Sequence, residues 1–391
     1  MNARVNAPVY LDYAATTPVD PRVAAVMAQC LTLQGAFGNA GSGHSFGDAA
    51  GAVVAAAREQ VAAAVGALPA EVIFTSGATE ANNLSIFGVA NYYRSQGQHI
   101  VTVRTEHKAV LDPCRELERR GWRVTYLVPR HDGMVDPAQV AAALRADTVL
   151  VCVMHVNNEI GVIQDVAAIA AACARHGAAR LHVDAAQSTG KCALDFAALG
   201  CDLMSLSAHK VYGPKGVGAL LVSQRRGVRL EALHHGGGQE RGLRSGTLPT
   251  HQVAGMGAAF KLAQESAGTE GARATLLRRR LWQGLSALSG VLRNGTEANS
   301  VPQILNASFA DVEGESLLAA VWPHIAVSAG AACTSAVQEP SYVLRALGRD
   351  DRLAESSLRF SLGRFTEERD IDVAVAAVAE ALSRLRKIGG A

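Results

Sequence analysis

The chain has 391 residues, 49% of them hydrophobic and 18% charged, with a formal net charge of +2. Domains commonly run roughly 100–200 residues, so this length predicts two domains around sizeable cores. The balanced charge and the absence of long Lys or Arg runs exclude direct nucleic-acid binding and membrane-surface binding; Arg225 with Arg226, and Arg278 to Arg280, read as short solvated faces.

The first 13 residues carry no apolar core of signal-peptide length, and no run of about 18 apolar residues occurs anywhere, which predicts a cytoplasmic protein. From about residue 21 to 266 helical and strand signals alternate. Residues 48–65 are Ala-rich with polar positions at helical spacing. Residues 71–75 form a short β-rich run that ends in Ser76 and Gly77. Further strands are predicted at 99–103, 124–128, 148–154, 181–184 and 202–206, with helical stretches between several of them. Such alternation predicts an α/β domain whose mostly parallel sheet is covered on both faces. The pattern shifts near residue 267. A charged helix is predicted over 270–288, strands at 306–309, 325–327 and 358–361, and a closing helix over 367–388. The division expected is a large domain, 20–266, and a smaller α/β domain built from 1–19 and 267–391.

The seven cysteines are Cys30, Cys114, Cys152, Cys173, Cys192, Cys201 and Cys333. They are odd in number and scattered, and no two form a CxxC pair, so neither a disulfide framework nor a zinc site fits. Six sit in settings suited to a buried thiol acting as a small hydrophobe. Cys333 instead lies among small and polar residues, 327–340, closed by Pro340. That composition predicts an exposed loop, where a thiol is accessible and can ionise as a nucleophile must. The plain alternative is a surface cysteine without a role.

Four segments place chemistry at strand ends. Ser207-Ala-His-Lys210 puts a lysine there, which taken alone is an ordinary surface lysine. Thr75-Ser-Gly-Ala-Thr79 stands at a strand-to-helix junction, where free N–H groups and the helix dipole suit an anion; a simple helix cap is the alternative. Asp184 ends another strand and could hold a pyridine nitrogen protonated, or merely cap the next segment. His107 follows a third strand, where a structural histidine is the common case. Together they describe a phosphate cradle, a pyridinium partner, a ring-side imidazole and a Schiff-base lysine on one sheet edge, where α/β folds bind ligands.

These segments, with Tyr10-Leu-Asp-Tyr-Ala-Ala-Thr-Thr-Pro18, Met154-His-Val-Asn-Asn-Glu-Ile-Gly161, Arg241-Gly-Leu-Arg-Ser-Gly-Thr247, Ala329-Gly-Ala-Ala-Cys-Thr-Ser335 and Arg359-Phe-Ser-Leu-Gly363, resemble the cysteine desulfurases of the NifS/IscS type, class V aminotransferases of fold type I. The resemblance spans nearly the whole chain in order. It implies a pyridoxal 5′-phosphate (PLP) transferase with a mostly parallel seven-stranded sheet in its large domain. Lys210 would carry PLP. Ala78, Thr79, Ser207 and His209 would bind it, mostly through the phosphate. Asp184 would pair with the pyridine nitrogen, Gln187 with the phenolic oxygen, and His107 would stack on the ring and handle the substrate thiol proton. Asn158 would lie beside ring and substrate, and Arg359 would grip the substrate carboxylate, a task suited to a planar guanidinium. Thr247 would reach the phosphate of a neighbouring subunit, which implies a homodimer, with the Gly-rich 234–238 run read as a flexible approach to that interface.

The activity implied is conversion of L-cysteine to L-alanine, with the sulfur left on Cys333 as a persulfide for an iron–sulfur scaffold or another acceptor, tRNA thiolation included. Cys333 is also a candidate transient iron–sulfur ligand. Two departures from the pattern stand out. The segment after Asn39 is one residue shorter, and the chain ends soon after the closing helix, where IscS-like chains carry an extension used in scaffold docking. Selenocysteine lyase, another class V PLP enzyme, or a non-catalytic sulfur-transfer partner are the competing readings.

Overall fold

Residues 148–154 are seven consecutive, wholly buried residues rich in valine, the pattern of a strand covered on both faces. The computed structural model, which describes residues 7–177, 179–329 and 339–389, places that strand inside a seven-stranded sheet. In chain order, β1 (Val9–Tyr10) is followed by α1 (Pro21–Ala28) and α2 (Ser45–Ala64). Then come β2 (Val72–Thr75), α3 (Ala78–Tyr93), β3 (His99–Val103), α4 (Lys108–Arg119), β4 (Arg123–Leu127) and α5 (Pro137–Ala143). The series closes with β5 (Thr148–Met154), α6 (Val166–His176), β6 (Arg180–Asp184), α7 (Phe196–Leu199), β7 (Leu203–Ser207) and β8 (Gly218–Val222).

The sheet order is β2-β8-β7-β6-β5-β3-β4. β8 runs antiparallel to both its neighbours, and the other six strands share one direction. The sheet is therefore mixed but mostly parallel. β8 is the strand that the sequence pattern missed, because it lies in the Gly/Pro-rich stretch after Lys210. Gly218 is required there: a Cβ at this position would come within 2.5 Å of the Leu206 carbonyl and 2.7 Å of the Gly77 backbone. One sheet face packs on α1, α2 and α6 through Val54, Val61, Ile169 and their neighbours, and the other on α3 and α4 through Leu84, Ile86, Val110 and Leu117.

The helix expected over 270–288 starts much earlier, as α8 (Thr250–Ser286). Nothing in the sequence stops it at 267, since propensity tolerates Gly268 and Gly271 at about 1 kcal/mol each. Its first turns lie against α1 and α2, and Gly257 allows close approach, since a Cβ there would meet Ala57 Cα at 2.7 Å. Beyond it, β9 (Val291–Asn294) and β10 (Ile304–Phe309) precede α9 (Gly314–Val321), β11 (Ile325–Ala326) and β12 (Ser328–Ala329). α10 (Tyr342–Ala346), α11 (Asp351–Glu355), β13 (Ser357–Ser361) and α12 (Glu368–Gly389) complete the chain. A second, antiparallel sheet of order β12-β13-β10-β9 has its own core of Leu305, Phe309, Leu318, Phe360, Ile371 and Leu382. β1 pairs with β11, so the N-terminal strand joins this C-terminal unit. No helix among the described residues is long and apolar enough to cross a membrane.

Candidate active site

Register aligns the carboxyl ends of the central strands: Met154 pairs with Asp184, and Asp184 with Ser205. The residues that follow those ends line a cavity of about 540 Å³. It gathers Ala78, Thr79, His107, Asn158, Asp184, Gln187, Ser207, His209 and Lys210 from five separate strand ends.

Asp184 is buried and held on both oxygens. Asn82 Nδ2 donates to one at 2.8 Å, and the Ala186 N–H to the other at 3.0 Å. Lys210 stands across from this carboxylate. Burial, followed by repulsion from Arg359, lowers its pKa below the usual lysine value, although Asp184 opposes the shift. A lysine amine so relieved of its proton is a nucleophile and a base. His107 caps α4: its Nδ1 accepts from the Ala109 N–H at 3.1 Å, which leaves Nε2 to carry the proton of the neutral ring. Burial and then Lys210 hold that ring below the usual imidazole pKa. His209 is driven down to about 4 by burial and three lysines, and its Nδ1 lies 3.1 Å from Thr16 Oγ1.

The opposite wall suits an anion. α3 begins at Gly77 with no side-chain cap, so the N–H groups of Ala78 and Thr79 open its first turn toward the cavity. Ser207 Oγ, buried on the same wall, has no hydrogen-bond partner among the described residues. A buried hydroxyl without a partner beside a bare helix start fits a phosphate group. With Asp184 and Lys210 spaced around the same cavity, the residues present fit PLP.

Arg359, on β13, stands behind Asn158 and does not line the cavity. One of its terminal nitrogens donates to the Asn158 carbonyl at 2.9 Å, the other to Asp12 Oδ1 at 2.7 Å and to Ser328 Oγ at 3.0 Å; Nε is buried and has no partner among the described residues. Thr247 is exposed and also away from the cavity. Cys333, with the rest of 330–338, lies outside the described residues. The ends of that stretch are anchored near the site. On one side Ser328 pairs with Arg359 across β12 and β13 and donates to Asp12 Oδ1 at 2.9 Å. On the other, Ser341 Oγ donates to the buried Glu159 carboxyl group at 2.5 Å.

The chain matches the family model for aminotransferase class-V over residues 9–373. It belongs to that family. Among curated relatives, "Cysteine desulfurase IscS" of Pectobacterium atrosepticum is 57% identical over 382 residues, covering 97% of this chain and 94% of that protein. A solved structure titled "NIFS-LIKE PROTEIN" superposes with a TM-score of 0.90 at 35% identity, over 97% of this chain and 100% of its own. Another, titled "SspA in complex with cysteine", gives a TM-score of 0.81 at 35% identity over 92% and 100%. The class-V fold, a mixed seven-stranded α/β sheet of fold type I, is thus the fold of this chain.

Several participants are invisible to motif reading. Asn82, the partner of Asp184, sits on a helix face otherwise filled by Ala81, Leu84, Ser85 and Ile86. A buried amide must find a partner, and that was its only signal. Asp12 and Ser328, which hold Arg359, and Lys191, which holds Gln187, depend on contacts far apart in sequence or hidden in a turn.

Proposed function

We propose that this chain is a PLP-dependent cysteine desulfurase, converting L-cysteine to L-alanine and passing the sulfur to Cys333 as a persulfide. The observation that carries the reading is a half-buried lysine, Lys210, facing a doubly held carboxylate, Asp184, across a cavity whose far wall is a bare helix start. The relatives named cysteine desulfurase, matched over nearly their full length, support the same activity.

Lys210 would carry PLP, Asp184 would pair with its ring nitrogen, His107 would lie against the ring, and Gln187 would donate to its phenolic oxygen. Ala78, Thr79, Ser207 and His209 would take the phosphate, and Thr247 that of a partner subunit in a homodimer. Bound there, PLP supplies the electron sink for a carbon that loses its proton. The chain's own groups do the rest. Arg359 and Asn158 orient the cysteine carboxylate. The neutral Lys210 amine takes the α-proton, and its lowered pKa leaves it free to do so. His107 relays the thiol proton through Nε2. The Cys333 thiolate attacks the substrate sulfur; the new S–S bond forms as the Cβ–S bond breaks, the released electron pair at Cβ takes up the proton relayed from the thiol, and Lys210 returns a proton to the α-carbon to give alanine.

The large part, 20–266, holds the cofactor groups, and the smaller part, 1–19 with 267–391, supplies Arg359 and the Cys333 stretch. The sulfur would serve a cytoplasmic iron–sulfur scaffold or another acceptor. Replacing Cys333 with Ser tests the assignment. The C333S protein keeps the visible band of bound PLP and yields little or no alanine or sulfide from cysteine. Full activity in that variant would overturn the role of Cys333.

A further inference from the structure

Gln187 faces the cavity from the turn after β6, and a primary amide there can present either its oxygen or its nitrogen. Two contacts decide between them. Gln187 Nε2 donates to the Ala14 carbonyl at 2.8 Å, and Lys191 Nζ donates to Gln187 Oε1. A flipped amide would set NH₂ against an ammonium and oxygen against a carbonyl, losing both bonds. The amide is therefore locked, with one Nε2 hydrogen left over to donate.

Lys191 is not among the groups that the proposed mechanism uses. Beside Gln187, it also lines a small cavity of about 20 Å³ behind Lys210, together with Gln303, Glu270 and Arg364. Lys210, Arg359 and the Cys192 thiol act on its charge, it acts in turn on His209, and Glu270 and Arg364 face it across the small cavity. Burial, then Lys210, brings its pKa down to about 7, as expected of a second amine in a positively charged pocket.

We propose that Lys191 is a positioning residue: it locks the Gln187 amide nitrogen-first toward the cofactor's phenolic oxygen and adds a positive charge behind Lys210. This rests on the reading of the cavity as a PLP site. The donor from Gln187 stabilises negative charge on that oxygen, and the charge of Lys191 opposes a second positive charge where Lys210 meets the cofactor. Losing either one makes the Lys210–cofactor linkage hold its proton more tightly.

The test is a spectrophotometric pH titration of the bound cofactor's visible band in the intact protein and in K191M. The expected result is a midpoint displaced upward by about one unit in K191M, the usual scale for removing a nearby like charge. K191R, which keeps the donors and stays charged at every pH of the titration, holds the midpoint at or below that of the wild type. Should K191M fail to fold, K191Q, neutral but still a donor, is titrated instead and moves in the same upward direction. A variant that binds cofactor with an unmoved midpoint overturns the role of Lys191. The reading of the cavity fails separately, and visibly, if the wild-type protein shows no band that borohydride fixes on Lys210.

Discussion

Glu159 offers the sharpest test of how the site is held. Its side chain is 3% exposed, accepts from Ser341 Oγ at 2.5 Å, and follows Asn158 in the chain. Burial raises its pKa from 4.5 to about 8, against the pull of Ser341 and Arg359. A carboxyl whose folded pKa lies above its unfolded value binds the proton better when folded. The stability it contributes is whole below pH 4.5 and is lost as pH rises through 8. The shift is 8 − 4.5 = 3.5 units, and at 1.36 kcal/mol per unit the whole loss is about 5 kcal/mol. Glu159→Gln keeps the acceptor for Ser341 and removes the ionisation. Urea unfolding of both proteins between pH 4.5 and 9 is the assay. The stability of E159Q relative to the wild type should climb across that range by several kcal/mol, up to about 5, and level off above pH 8. Parallel stability curves would refute the reasoning, since they would mean that Glu159 is ionised in the folded protein at neutral pH.

Two further outcomes follow from contacts around the cavity. Glu240 holds Arg58 through bonds of 2.6 and 2.9 Å and accepts from the Phe74 N–H at 2.7 Å, just ahead of the helix start. E240A strips the buried Phe74 N–H of its acceptor and the half-buried Arg58 of its ion-pair partner, leaving Arg58 its bond to the Val72 carbonyl, and should cost about 2–4 kcal/mol in urea unfolding; a loss below about 1 kcal/mol would show the pair to be incidental. R359K keeps the charge but loses the planar fork that reaches both Asn158 and Asp12. Its KM for cysteine should rise about tenfold, equivalent to about 1.4 kcal/mol, while the visible band stays unchanged; an unchanged KM would remove Arg359 from substrate binding.

Much of the architecture was legible in the sequence because it rests on local rules. The strands at 72–75, 99–103 and 148–154 are runs dominated by β-branched or apolar residues, and polar residues mark strand ends at Ser76, Asp184 and, after 203–207, Lys210. A parallel α/β sheet necessarily brings such ends to one edge, so the company of Lys210, Asp184, His107 and Thr79 could be foreseen from their spacing alone. β8 could not be foreseen, because a five-residue strand among glycines is defined by its two neighbours rather than by its own composition. The start of α8 was hidden for a similar reason: its first half is held against α1 and α2 by packing, and the pattern shift near 267 is a change of surroundings inside one helix.

The sequence by itself therefore marked out the candidates for the chemistry: a lysine, an acid, an imidazole and a cradle at strand ends, and a cysteine among small polar residues. Only the tertiary structure decided what holds them. Asn82 on Asp184, Asp12 and Ser328 on Arg359, Lys191 on Gln187 and Ser341 on Glu159 are hydrogen bonds and ion pairs, three of them between residues 102 to 347 positions apart. The physical reason is that local propensity sees only the neighbours along the chain. A buried polar group is satisfied by whatever the fold brings within 3 Å, and that partner leaves no trace in periodicity or composition.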